Sequence, residues 1–266
     1  MSRSRVYILG CGGHGRVILD VLRSTGTEIG DMRFVDDRRA LWGSAVDGVI
    51  VAGGIDVLEP NAPVYIGVGD NIARHNLYLR LHEFGCSFPR LVSPHAVVSS
   101  RARIDDGAVV FHRAVVQTGA LVERAAVINT GAIVEHDCVV GPFAQLAPAV
   151  TLSGSVRVGE GTLLGTGSSV NRNCTLGSWC LIAPGIAVLG DVPTGSVYKP
   201  GAETIRVEPN YRLGNIDTPQ TDRAPSHFAP SATDPASPAD ARYSQETRDT
   251  TPGPPNTRKH RPQSTS

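Results

Sequence analysis

A chain of 266 residues with 41% hydrophobic content can bury the cores of one or two globular domains. Its 25 basic and 25 acidic residues cancel, and no long Lys/Arg block breaks that balance, which argues against nucleic acid or an anionic membrane held by bulk electrostatics and points to a small partner. The opening MSRSRVYILGCGG has an apolar run too short for a signal peptide, and nowhere do eighteen apolar residues run together, so the chain is expected to be cytoplasmic with no membrane partner. Five cysteines without C-x-x-C spacing indicate neither a disulfide framework nor a zinc cluster, and reduced thiols and no metal are expected.

Residues 1–93 read as strand, helix, strand, strand, helix, strand: VYILG, a helix from about Gly15 to Arg23, RFVDD, VYIGVGD, a helix from about Asn71 to Phe84, and FPRLV. The spacing of Gly10, Gly12 and Gly15 fits the G-x-G-x-x-G fingerprint after a strand, and Asp36 follows at the distance of an acid on a ribose hydroxyl. Four strands are too few for the two mononucleotide halves of a dinucleotide fold, so the pattern predicts a Rossmann-like α/β layer that holds a single nucleotide. The carboxyl edge of such a sheet is where ligands bind, which puts Gly12 and Gly15 of the fingerprint and the pair Asp36 and Asp37 forward as its contacts. His14 is equally well read as a ligand contact and as a polar residue opening a helix, and the Asp36–Asp37 pair also as a strand ending in a turn.

Residues 94–200 repeat with a period of six. From Val98, Ile104, Val110 and Val116 to Ile182 and Val188, every sixth residue is aliphatic, and four places after each comes a second inward position that is mostly small. Gly, Asn and Asp recur between them, as in IDDGAV, INTGAI and VGEGTL, so short strands alternate with sharp corners and stack as an all-β solenoid. Cys138, Cys174 and Cys180 fall on the small inward position and read as fillers. Beyond a C-terminal extension at 201–217, residues 218–266 are rich in Pro, Ser, Thr and Asp with few aliphatics, a composition that predicts disorder.

Glu135, His136 and Asp137 fall at one of these corners, where polar residues are tolerated without a purpose. On an eighteen-residue coil His136 stacks between Thr118 and Gly154, and the glycine leaves room beside the ring. A neutral histidine with a neighbouring carboxylate to set its tautomer is suited to take a proton from a poor nucleophile. His95 and His112 lack a nearby acid and have no assigned role.

GCGGHG, FVDD and GVGDN in front of unbroken hexads resemble the bacterial nucleotide-sugar acyltransferases of the hexapeptide-repeat class, which modify amino sugars or sialic acid, over about 200 residues. The resemblance implies a left-handed parallel β-helix and a homotrimer with its active site between subunits. It also implies acetyl-CoA as co-substrate lying along the helix, and transfer of its acetyl group to the amino group of a nucleotide-linked amino sugar. By motif His136 is the base and Asp137 its orienting acid, Gly13, His14 and Gly69 fall on substrate positions beside the Asp36–Asp37 pair, and Gln145, Gly154, Gly165 and Lys199 fall on cofactor positions. Gln145 stands where many relatives have a second histidine, and a glutamine can donate a hydrogen bond but cannot act as a base. The alternatives left open are O-acetylation of sialic acid or a related sugar, a non-catalytic nucleotide-sugar-binding trimer, and an oxidoreductase built on the glycine fingerprint.

Overall fold

The computed structural model describes residues 5–200 and the backbone of a strand at 205–209. The segment expected to be disordered, 218–266, and most of the extension at 201–217 lie outside the described residues.

The front layer is a five-stranded sheet. Its strands are β1 (Val6–Leu9), β2 (Met32–Val35), β3 (Ala45–Val46), β4 (Val49–Gly53) and β5 (Val64–Ile66), in the order β3-β4-β2-β1-β5. All pairs are parallel except the β3–β4 hairpin. Helix α1 (Gly13–Ser24) follows β1 and buries Ile18, Leu19, Val21 and Leu22, the i, i+1, i+3, i+4 stripe of an amphipathic helix. Strand order reverses between β1 and β5, the switch point at which open parallel sheets leave a crevice at their carboxyl ends. The hairpin was not anticipated, although Asp47–Gly48 carries the Asp-Gly turn signal; both residues take positive φ, 47° and 80°, as a type I′ turn requires.

Leu91–Val92, expected as the last strand of the front sheet, belongs to the solenoid instead and pairs with Val109–Val110. From there to Ala187–Val188 the chain runs through two-residue parallel strands distributed in rotation over three sheets, the three sides of a prism. Residues eighteen apart are paired, as in Val116 with Val134 and Ile128 with Leu146. The aliphatic residue of each hexad from Ile104 to Val188 is buried inside, together with the small positions such as Ala114, Ala132 and Cys138. The thiols of Cys138 and Cys180 donate to the carbonyls of Ser153 and Pro193.

One side of the prism carries the front layer. Its outward residues Leu91, Val109, Phe111 and Val127 pack with Ile8, Ile18 and Phe34 in one buried cluster. Helix α2 (Asn71–Glu83) rests on the neighbouring corner row, residues 107, 125, 143, 161 and 179, all with positive φ. There Phe143 meets the rings of His75 and Tyr78 edge-on, and Trp179 meets His75.

Candidate active site

The first half of the site is the crevice at the switch point. Gly10 turns out of β1 at φ 91°, a conformation that side chains rarely adopt. Gly15, in the first turn of α1, lies so close to the Gly10 carbonyl that any Cβ would overlap it, and a Cβ on Gly67 would stand 2.6 Å from the Gly15 Cα. These three glycines let the loops after β1 and β5 interlock. Gly12 and Gly13, by contrast, face open space. The start of α1 has no side-chain cap, so its first amides are available to an anion, the arrangement that binds phosphate in nucleotide folds.

Asp36 and Asp37 divide sharply. Asp36 is buried; its carboxylate accepts from the Cys11 amide at 3.0 Å, the Cys11 thiol at 3.2 Å and Arg38 Nε at 2.8 Å. The Arg38 guanidinium beside it holds its carboxyl well below the usual carboxylate range. Its donors are already inside the protein, so it ties the glycine loop to the end of β2. Asp37 is exposed, and among the described residues its carboxylate has no hydrogen-bond partner. The indole of Trp42, which sequence reasoning overlooked, donates to the Asp36 carbonyl at 2.8 Å and leaves its ring partly open beside Gly54.

His14 lies at the floor of the crevice, edge-on to Phe111 of the solenoid at 5.3 Å and in contact range of Gly69. Burial, and secondarily the charge of Arg74, push its pKa down to about 4, and its buried Nε2 has no partner among the described residues. It is therefore a neutral group facing front layer and solenoid alike.

The second half lies on the solenoid. His136 occupies the corner between strands Ile133–Val134 and Val139–Val140, and its Nδ1 stands 2.8 Å from Asp137 Oδ2. Both side chains are more than half exposed. The ring lies over Gly154 of the next coil, where a Cβ would come within 2.5 Å of Nε2. An ionised carboxylate can only accept, so Asp137 places the ring proton on Nδ1 and leaves the Nε2 lone pair free.

Of the residues expected along the cofactor path, Gly154 lies against His136, and the other three lie elsewhere. Gln145 is on the side of the prism opposite the His136 corner, with Oε1 accepting from Arg74 of α2 at 3.3 Å. Gly165 packs on the next coil, a Cβ there coming within 2.5 Å of the Pro184 nitrogen. Lys199 is in the strand Ser196–Pro200, half-buried and paired across to Arg206. Arg74 and Asn71, buried polar residues of α2, were not singled out in the sequence. The available signal was a polar and aromatic stripe, Asn71, Arg74, His75, Tyr78 and His82, at helical spacing where an apolar one would ordinarily face a core. Among the described residues no group of three His, Cys, Asp or Glu side chains could hold a metal ion, and no helix is long and apolar enough to cross a membrane.

A small nucleotide-type layer joined to a hexad solenoid with an exposed histidine–carboxylate pair defines an acyltransferase of the hexapeptide-repeat class. Comparison with known proteins narrows this. Residues 5–81 match the family model described as the PglD N-terminal domain. The acetyltransferase domain of PglB from Neisseria gonorrhoeae, also solved in complex with acetyl coenzyme A, is 32% identical over 78% of this chain and 100% of that one, with a TM-score of 0.71. The perosamine N-acetyltransferase PerB from Caulobacter crescentus, solved in complex with CoA and GDP-perosamine, is 30% identical over 78% of this chain and 98% of that one, with a TM-score of 0.69. The chain belongs to this family of nucleotide-sugar N-acetyltransferases.

Proposed function

We propose that the protein transfers the acetyl group of acetyl-CoA to the amino group of a nucleotide-linked amino sugar, with His136 as general base and Asp137 as its orienting acid. The observation that carries this reading is the 2.8 Å contact between His136 Nδ1 and Asp137 Oδ2 on an open corner, with Nε2 free above Gly154. A sugar ammonium is a poor nucleophile until it loses a proton. In the proposed step the amine lone pair attacks the thioester carbonyl carbon as a proton passes from nitrogen to His136 Nε2. The new C–N bond then survives while the C–S bond breaks, and the coenzyme leaves as thiolate, which takes up the second proton that the nitrogen gives up on passing from ammonium to amide. No covalent enzyme intermediate is needed.

The nucleotide end is assigned to the front crevice, with the diphosphate over Gly12 and Gly13 at the start of α1, beside Gly15, and the nucleoside toward Asp37 and Gly69. His14 contributes a neutral imidazole there. Acetyl-CoA is assigned to the solenoid, near Gln145, Gly154, Gly165 and Lys199. Because Gln145 and His136 lie on opposite parts of the same prism, one subunit's crevice needs another subunit's His136 corner, and a homotrimer is the closed assembly we infer. The outward residues flanking that corner support this: Val115 and Ile133 on one side and Leu121 and Val139 on the other are aliphatic, and Val97 is 66% exposed.

The test is release of free coenzyme A thiol from acetyl-CoA with a panel of nucleotide-linked amino sugars and, as controls, sialic acid and deaminated sugars. Wild type should release thiol only with the amino sugars, and His136→Ala should lower kcat by about a hundred- to ten-thousand-fold. Thiol release with hydroxyl sugars alone would favour O-acetylation. No release with any sugar, or an equally active alanine variant, would refute the reading.

A further inference from the structure

Arg74 is buried to 2% exposure and makes no ion pair among the described residues. All its acceptors are neutral oxygens. Nε donates to the Ala125 carbonyl at 3.2 Å, and Nη2 to the Phe143 carbonyl at 2.7 Å and Asn71 Oδ1 at 2.8 Å. Nη1 is shared among the carbonyls of Val68 and Gly69 and Gln145 Oε1, each at 3.3 Å. Asn71 Nδ2 in turn donates to the Gly161 carbonyl at 3.0 Å. Residues 125, 143 and 161 are successive members of one corner row, so the first turn of α2 collects carbonyls from three coils that no backbone amide takes up.

A buried cation is ordinarily paired with a carboxylate, because neutral dipoles only partly replace lost hydration. Desolvation lowers the Arg74 pKa to about 10, with Asp70 the acid that opposes this, and the guanidinium stays charged at neutral pH. The loop it holds, Val68–Gly69, is the β5 edge of the crevice, next to His14 and the open amides of α1.

We propose that Arg74 is a positioning residue: its fork clamps the Val68–Gly69 loop to the solenoid, and its unpaired charge is the buried countercharge for the diphosphate of the nucleotide-linked sugar. This rests on the front crevice holding a nucleotide. The guanidinium acts through the loop it holds and through its field, while the α1 amides make the contact. The same field disfavours a proton on His14, keeping a neutral imidazole beside the anion.

Calorimetric titration of the full chain with UDP, GDP, uridine and guanosine tests this. Arg74→Met should weaken whichever diphosphate binds the wild type by on the order of tenfold more than it weakens the matching nucleoside, the size expected for one charge at partial screening. Arg74→Lys, which keeps the charge but not the fork, should retain most of the diphosphate affinity. In turnover, Arg74→Met should raise KM for the nucleotide-linked sugar and not KM for acetyl-CoA, and NMR titration should find the His14 pKa raised. Equal weakening of nucleoside and diphosphate, or no change in either, would overturn the proposal. If Arg74→Met shows no cooperative melting transition, Asn71→Asp decides, since it sets a carboxylate 2.8 Å from Nη2 and neutralises the charge with the fork in place, at the loss of the bond to the Gly161 carbonyl. Unchanged diphosphate affinity in that variant also overturns the proposal. Wild type that binds neither diphosphate refutes the crevice reading itself, a result distinct from a silent variant series.

Discussion

The ring of His136 lies in the space left by Gly154, one coil further on, where even a methyl group would come within 2.5 Å of Nε2. The glycine therefore has a task that its own backbone does not impose. Gly154→Ala should push the exposed ring off its hydrogen bond to Asp137, lowering kcat by about tenfold or more while the melting transition stays near wild type. Comparison of initial rates with thermal melts separates the two effects. A large stability loss with unchanged kcat would show that the glycine serves packing alone.

Asp137 sits at φ 60°, a conformation that asparagine tolerates far better than alanine. Asp137→Asn therefore tests the carboxylate without straining the corner. It should reduce kcat by about tenfold, less than His136→Ala, because the ring can still accept a proton but loses the partner that sets its tautomer. Single-turnover rates at saturating substrates are the measurement.

The glycine loop predicts two opposite outcomes. Gly15→Ala drives a Cβ into the Gly10 carbonyl and should destabilise the fold by about 3 kcal/mol or more, read as a lowered denaturation midpoint. Gly12→Ala meets open space at an ordinary φ of −76° and should cost less than about 1 kcal/mol. Its methyl group stands where the diphosphate is assigned, so KM for the nucleotide-linked sugar should rise. If both variants behave alike, the two glycines do not divide between packing and binding.

His14 makes stability depend on pH. Its pKa is about 4 in the fold against 6.5 in the unfolded chain, so between these values the unfolded chain holds the extra proton and acid favours unfolding. Its stabilisation is complete above pH 6.5 and is lost as pH falls towards 4. Lowering pH from 7.5 to 5 should cost about 2 kcal/mol through this group. His14→Phe, which keeps an aromatic ring beside Phe111, should flatten that part of the curve, as urea melts at the two pH values would reveal.

Much of the fold was legible because its signals are local. A six-residue period can be satisfied only if every coil repeats the same inward pair, so Val110, Ile128 and Leu146 declare the solenoid one hexad at a time. The glycine fingerprint placed the first strand, the turn and α1 for a similar reason, since the close approach of Gly15 to Gly10 is made within one turn of chain. His136 with Asp137 was readable as adjacent residues on a corner. Leu91–Val92 was assigned to the wrong sheet because a two-residue apolar strand carries no mark of its partner. Asp36 and Asp37 could not be told apart, since what separates them is Cys11 and Arg38 closing on one and not the other.

The sequence by itself determined the repeat, the nucleotide-type turn, and the histidine–acid pair, all properties of residues within one coil or one loop. Only the tertiary structure decided that Gln145 belongs to the joint under α2 and not beside His136, and that Arg74 is buried without an acid. The reason is physical. Arg74 and Gln145 are 71 residues apart, and their contact exists because the front layer's apolar face had to be buried on one side of the prism.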